Sequence, residues 1–194
     1  VEDLHVFLEN PVNQGRLKGF DFYLMRNVES LRSVGVYLDT ETRAYFPDFV
    51  LWVVGKKCTH ILLVDPKGQS GIYDLNSLNT PNAKVKLATN GDLVELTNRL
   101  TTLVGKKFQV DSFILLRKSS PLGRANGSFY DDKEVALMVK DNVYHLNWGP
   151  ARDEVYLDED GELVTQPPEG CCYVERMLYR AGVLQERSWP ASTV

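Results

Sequence analysis

Two aspartates and a lysine stand at the ends of two strongly apolar runs in the segment RAYFPDFVLWVVGKKCTHILLVDPKGQSG, residues 43–71. Asp48 precedes the run FVLWVV, and Asp65 ends the run HILLVD, with Lys67 two residues later. A charge at the end of a buried strand is costly unless it is paired, solvated or bound to a metal ion. These three residues are therefore the first candidates for chemistry.

The spacing of these residues suits a metal site. Asp65 and Lys67 are two apart, so in a strand their side chains leave the same face, and Asp48 reaches the same point if it begins the neighbouring strand. Two converging carboxylates bind a hard divalent ion such as Mg²⁺. The ion activates water and offsets charge on an attacked phosphate, while a lysine orients or deprotonates the water. The residue types thus indicate phosphodiester hydrolysis.

A simpler interpretation treats the same residues as ordinary strand ends. Asp48 follows Pro47 and can belong to a turn, and the sequence Asp-Pro-Lys-Gly at 65–68 can be a polar strand exit with a surface ion pair. Short patterns of this kind often occur by chance. The position of both acids at the ends of apolar runs favours the metal site.

Composition indicates one folded unit. A chain of 194 residues that is 43% hydrophobic can bury one substantial core. Because it begins with Val1, we expect a piece of a longer polypeptide or a trimmed start. We expect a soluble, cytoplasmic protein with no membrane association, because no apolar stretch is long enough to span a bilayer and no leader-like segment is seen. Three cysteines without paired spacing fit a reducing compartment.

Charge limits the ways in which this chain can hold nucleic acid. The formal net charge is −4. A negative net charge argues against nucleic-acid binding that depends only on attraction between the whole protein and the phosphates. Six of the acids lie in the segment DEVYLDEDGE, residues 153–162, which contains no base. The first part of the chain is therefore less acidic than the total suggests.

Hydrophobic periodicity predicts an α/β fold. Helices are expected at residues 20–32 and 92–105, and strands at 34–39, 49–54, 60–65 and 108–119. This order predicts a central mixed sheet between helices. Residues 1–125 form the predicted core, and residues 126–194 a C-terminal elaboration with a hairpin at 155–164. A final helix at 171–184 ends at Gly182 or at Pro190.

The stretches YFPDFVLWV and HILLVDPKGQ resemble the PD-(D/E)xK nuclease superfamily, and more narrowly the C-terminal nuclease part of type III restriction enzymes and related helicase-nucleases. The resemblance covers about residues 20–118. It implies a restriction-endonuclease-like, three-layer α/β/α fold and a magnesium-dependent DNA endonuclease, in which Mn²⁺ can replace Mg²⁺.

The resemblance also implies roles for individual residues. Asp48, Asp65 and the backbone carbonyl of Pro66 become metal ligands, and Lys67 becomes the catalytic lysine. Many members add an acid from the first helix, for which Glu29 is the best match and Asp21 the next.

Three further residues are expected to contact the substrate. Gln69 shares the strand alternation of Asp65 and Lys67, so it could face the same cleft. Lys84 and Lys86 form a basic cluster close in sequence to the site, and we expect them to contact DNA phosphates.

The resemblance to this nuclease superfamily also implies binding partners. Related enzymes carry an ATP-driven motor, and because this chain has no phosphate-binding GxxxxGK[ST] motif, we expect a helicase or translocase region elsewhere on a longer chain. A dimer is expected if both DNA strands are cut.

Two alternatives stay open. One is a catalytically weakened nuclease-fold module for DNA binding or docking, favoured by the proline in Asp-Pro-Lys, and the other is a metal-free interaction domain that uses the acidic segment 153–162.

Overall fold

A computed structural model describes residues 1–28, 34–37, 44–67, 73–74, 77–81, 92–116, 140–145, 154–157, 163–166 and 172–184. Its helices are α1 (Glu2–Glu9), α2 (Pro11–Arg16), α3 (Asp92–Val104) and α4 (Tyr173–Arg180). Its strands are β1 (Phe20–Arg26), β2 (Val36–Tyr37), β3 (Ala44–Tyr45), β4 (Phe49–Gly55), β5 (Cys58–Lys67), β6 (Tyr73–Asp74), β7 (Ser77–Pro81), β8 (Lys107–Leu116), β9 (Val143–His145), β10 (Glu154–Leu157) and β11 (Leu163–Gln166). None of the described helices is long and apolar enough to cross a lipid bilayer.

A five-stranded mixed sheet forms the centre of the fold, with strand order β1-β4-β5-β8-β9. The strands β1, β4 and β5 are antiparallel, and the short turn at Lys56 and Lys57 joins β4 to β5. The strands β5, β8 and β9 are parallel. The connection from β5 to β8 contains α3, as a parallel crossover requires. The predicted α/β class with a central mixed sheet is confirmed.

Alternate residues of the central strands belong to two different cores. Leu51 and Leu62 lie in the larger one, which we call the first core, together with residues of α1 and α4. Val50 and Leu63 lie in the second core, with Leu93 of α3. Helices therefore cover both faces of the sheet. Because β5 contributes buried residues to both cores, its sequence is a continuous apolar run, as predicted.

Helix α3 confirms the predicted helix at 92–105 and ends as expected. Leu93 is buried in the second core, and Leu96 and Leu100 pack against it. Gly105 adopts φ 70°, and its N–H donates to the carbonyl of Thr101, which is a common way to end a helix. Leu103 continues the same spacing but is 80% exposed.

The predicted helix at 20–32 is wrong in its described part, where residues 20–26 form strand β1. The spacing of Phe20, Leu24 and Val28 fits a helix, but Phe20 and Phe22 also fit the alternation of a strand. Pairing with β4 decides between them, since both phenylalanines then pack against the first core. Helices α1 and α2 precede β1 instead.

The C-terminal part of the chain contributes to the same sheet and core. Strand β9 pairs with β8, and α4 supplies Val174, Met177 and Leu178 to the first core. The predicted hairpin is confirmed by the antiparallel pair of β10 and β11. The predicted final helix is confirmed as well, and of the two expected ends it takes Gly182, which adopts φ 72°. The domain division at residue 125 stays a prediction.

A partly buried ion pair joins α2, near the start of the chain, to α4, near its end. Arg16 of α2 donates through Nη1 to Glu175 of α4, and the Glu175 side chain is fully buried. Arg16 also donates to Asn13. Removal of Arg16 would take a charged donor away from the buried Glu175 carboxylate, which is destabilising.

We expect Arg16→Met to lower the free energy of unfolding by about 3 kcal/mol, because the fully buried Glu175 carboxylate would lose the charged donor Arg16. Adding Glu175→Leu should recover at least half of that loss. Urea denaturation of the wild type, both single variants and the double variant measures the coupling. A loss below about 0.5 kcal/mol in Arg16→Met would contradict this role of the pair.

Candidate functional site

The register of β4 and β5 brings Asp48 and Asp65 together. Phe49 pairs with Val64 at the end of the antiparallel ladder. Asp48 and Asp65 are the next residue on each strand, beyond the last pair of the ladder. One further step of the same register would set the two acids opposite one another, with their Cβ atoms about 5 Å apart. The two acids that the sequence singled out thus lie at one place.

Both acids belong to the side of the sheet that faces the second core. Val50 and Leu63 point into that core, and Asp48 and Asp65 follow them at the two-residue spacing of a strand. Asp65 is fully buried, whereas Asp48 is only partly buried. Solvent therefore reaches the pair from the side of Asp48.

Strand β5 continues past Asp65 to Lys67. Pro66 pairs in register with Leu115 of β8, and Lys67 with Leu116. On the other side the ladder with β4 has already ended at Val64, so Pro66 has only one neighbouring strand. A proline is tolerated at such an edge. The backbone of Lys67 therefore stands two residues beyond Asp65, while its side chain lies outside the described part.

Several expected site residues are not tested by this geometry. Glu29, Gln69, Lys84 and Lys86 lie outside the described residues. Asp21 is described and is not part of the site. It is exposed on β1 opposite Val54, six residues along β4 from Asp48, which corresponds to about 20 Å.

Sequence reasoning missed two polar residues near the pair. Asn27 is buried just beyond β1, and its backbone N–H donates to the carbonyl of Asp48 at 2.8 Å. Ser112 of β8 is 1% exposed, pairs in register with Leu63, and its Oγ has no hydrogen-bond partner among the described residues. The sequence does not predict these positions. An asparagine after an apolar run and a serine within a strand are common, and neither pattern indicates burial beside the two aspartates.

The donor set of the pair fits a magnesium ion better than a transition metal. In the described part of the chain, no group of three or more His, Cys, Asp or Glu side chains is arranged to hold a metal ion. Two carboxylates alone suit Mg²⁺, which commonly uses one or two protein carboxylates and keeps several waters. The oxygen donors of Asp48 and Asp65 would hold the ion, and the Pro66 carbonyl is a third candidate donor.

Three titratable side chains of the sheet with shifted pKa values lie on its opposite face, those of Asp111, His60 and Cys58. Asp111 of β8 is paired in register with Leu62, and burial raises its pKa to about 6, although a hydrogen bond from Gln109 acts in the other direction. Burial lowers the pKa of His60, which packs edge-on against Phe20. Burial also raises the pKa of the Cys58 thiol. These groups belong with the first core and are separate from the Asp48–Asp65 pair.

Comparison with known proteins adds no relative of this chain. No protein-family model, curated protein or solved structure matches it.

Asp111 gives a prediction for the pH dependence of stability. Because its pKa in the folded protein lies at about 6, above the ordinary value of 3.8, the fold favours the protonated form. The wild type should therefore lose stability as the pH rises from 4 to 7. The variant Asp111→Asn should be about 2 kcal/mol more stable than the wild type at pH 7 and nearly equal to it at pH 4.

Thermal or urea unfolding of both proteins at the two pH values measures this difference. Comparison within one pH removes the contributions of His60 and of all other titrating groups. A stability difference that is the same at pH 4 and pH 7 would show that Asp111 is not the group responsible.

Proposed function

We propose that this protein is a divalent-metal-dependent DNA endonuclease that hydrolyses phosphodiester bonds. The observation that supports the proposal is the end of the β4–β5 ladder at the pair Phe49 and Val64, because Asp48 and Asp65 are the next residue on each strand and Lys67 follows two residues later. Metal-dependent phosphodiester hydrolysis needs converging oxygen donors and a nearby cation, and these residue types provide both.

Each residue has a defined task in this mechanism. Asp48 and Asp65 hold and orient the ion, which when bound lowers the pKa of water and offsets charge on the phosphate. Lys67 donates hydrogen bonds to the attacking water or to a phosphate oxygen, and so stabilises the charge that develops in the transition state. The apolar residues Val50 and Leu63 exclude water beneath the pair and strengthen these electrostatic interactions.

The order of elements supports a restriction-endonuclease-like fold. Three antiparallel strands, β1, β4 and β5, are followed by α3 and by the parallel strand β8. Helices α1 and α2 precede the first strand, but they do not contain Glu29 or Asp21, the acids expected on the first helix. Asp48 directly precedes β4, and Asp65 lies within β5. The three-layer α/β/α arrangement is thus part of the proposal.

Several further elements of the proposal come from the sequence. Glu29 is retained from the resemblance as a candidate for a third acid, although residues 20–26 of its expected helix form strand β1. Gln69, Lys84 and Lys86 are proposed to contact DNA, and Mn²⁺ to substitute for Mg²⁺. A helicase region on a longer chain and a dimer for double-strand cleavage complete the proposal.

A second candidate function is a nuclease-fold module that binds DNA or a protein without cutting. The full burial of Asp65 favours this alternative, because a carboxylate with no exposed surface must become accessible before it can bind a hydrated ion. The two functions differ in metal-dependent activity.

The nuclease proposal predicts nicking of supercoiled plasmid in the presence of Mg²⁺ or Mn²⁺. Lys67→Ala should lower the rate at least about 100-fold, because the developing charge would lose its nearby cation. Asp65→Asn should abolish nicking, because it removes a charged ligand of the ion. Gel analysis of plasmid forms over time, with an EDTA control, measures the rates.

Two matched variants test whether these effects are local. Lys56→Ala removes an exposed lysine from the turn before β5, and Asp111→Asn neutralises an aspartate on the other face of the sheet. Both should keep wild-type nicking within about threefold, since neither group is at the Asp48–Asp65 pair. Equal losses in control and site variants, or an absence of both nicking and Mn²⁺ binding in the wild type, would refute the nuclease proposal and favour the docking module.

A further inference from the structure

Asn27 connects three separate stretches of chain beside Asp48. It lies just beyond β1 and is 8% exposed. Its Nδ2 donates to the carbonyls of Val34 and Pro47, each at 2.8 Å, and its Oδ1 accepts from the N–H of Val34 at 2.9 Å. Its own backbone N–H donates to the carbonyl of Asp48 at 2.8 Å.

These bonds use both donor hydrogens of the side-chain amide. The partners lie seven and twenty residues away in sequence, so one buried side chain sets the positions of Val34 and Pro47 relative to the end of β1. Pro47 itself is buried and fixes the backbone immediately before Asp48. The carbonyls on both sides of the Pro47–Asp48 peptide bond are thus held by Asn27.

Asp48 needs this support more than Asp65 does. Asp65 lies within β5, between residues that pair with β8 on both sides. Asp48 lies in a bend just before β4, outside the ladder that joins β4 to β5.

We infer that Asn27 is a positioning residue that holds the backbone of Asp48 in place opposite Asp65 and so prepares the pair for a divalent cation. The inference rests on the proposed function for its metal-binding consequence, but its geometric part does not depend on metal. Asn27 acts through Pro47 and Asp48 and contacts neither ion nor substrate.

Asn13 offers a matched control on the other side of the molecule. It is 7% exposed, its Nδ2 donates to the carbonyl of Phe7 at 3.0 Å, and its Oδ1 accepts from Arg16. Asn13→Ala therefore removes a buried amide of similar burial and bonding. Its loss should lower stability to a comparable degree without reaching the site.

The test compares the wild type, Asn27→Ala and Asn13→Ala by calorimetric titration with Mn²⁺ alone, at a temperature at which all three are folded. We expect Asn27→Ala to weaken Mn²⁺ binding at least tenfold and Asn13→Ala to leave it within twofold. Equal affinity in wild type and Asn27→Ala would overturn the inference, and so would equal weakening in both variants, which would indicate a purely structural effect.

A crystal structure of an Asn27 variant separates this inference from the proposed function. We expect the Cα atom of Asp48 to move away from that of Asp65 by at least about 1 Å, because the bonds that hold the Pro47–Asp48 peptide are lost. If Asn27→Ala does not fold, Asn27→Asp keeps the size and the bond from Val34 but loses both donors, and should show the same movement. An unchanged position of Asp48 would overturn the inference even if the wild type binds Mn²⁺. A wild type that binds no Mn²⁺ while Asp48 moves as expected would refute only the metal site.

Discussion

The antiparallel register between β4 and β5 is the constraint on which the rest of the structure depends. Phe49 lies opposite Val64, and every other pair along the two strands follows from it. The same register sends Leu51 and Leu62 into the first core and Leu63 into the second. Because side chains alternate with a period of two, a slip of one residue would exchange the two faces and separate Asp48 from Asp65. The register that buries the apolar side chains of the two strands therefore also brings Asp48 and Asp65 to the same end of the strand pair.

The two faces of the sheet make different contributions. The larger first core, with α1, α2 and α4 and the ion pair between Arg16 and Glu175, forms a well-packed base behind the strands. The smaller second core, with α3, leaves the end of its face to polar groups, among them Asn27 and the two aspartates.

Local patterns predicted the parts of the fold that depend on neighbouring residues in sequence. The apolar runs gave β4, β5 and β8 because burial on one or both faces dictates their composition, and the spacing of Leu93, Leu96 and Leu100 gave α3. The prediction of a helix at 20–32 was wrong because both periods fit its apolar residues, and only the partner strand β4 decides between them.

Interactions over long sequence distances could not be predicted in this way. Glu175 reads as a solvent-exposed residue of an amphipathic helix, but its partner Arg16 lies 159 residues away and makes its burial possible. Asn27 falls within the predicted helix at 20–32, and the carbonyl that it binds at Pro47 comes from a segment twenty residues later. The two acids were identified from their positions at strand ends, whereas their direct opposition depends on the register of two strands.

Anomalous diffraction from crystals soaked in Mn²⁺ tests most directly the claim that the opposed aspartates form a metal site. The account predicts one strong anomalous peak with a carboxylate oxygen of both Asp48 and Asp65 within about 2.5 Å, and its loss in crystals of Asp65→Asn. An absence of any peak at this pair in well-ordered crystals, or a peak that persists in Asp65→Asn, would contradict it.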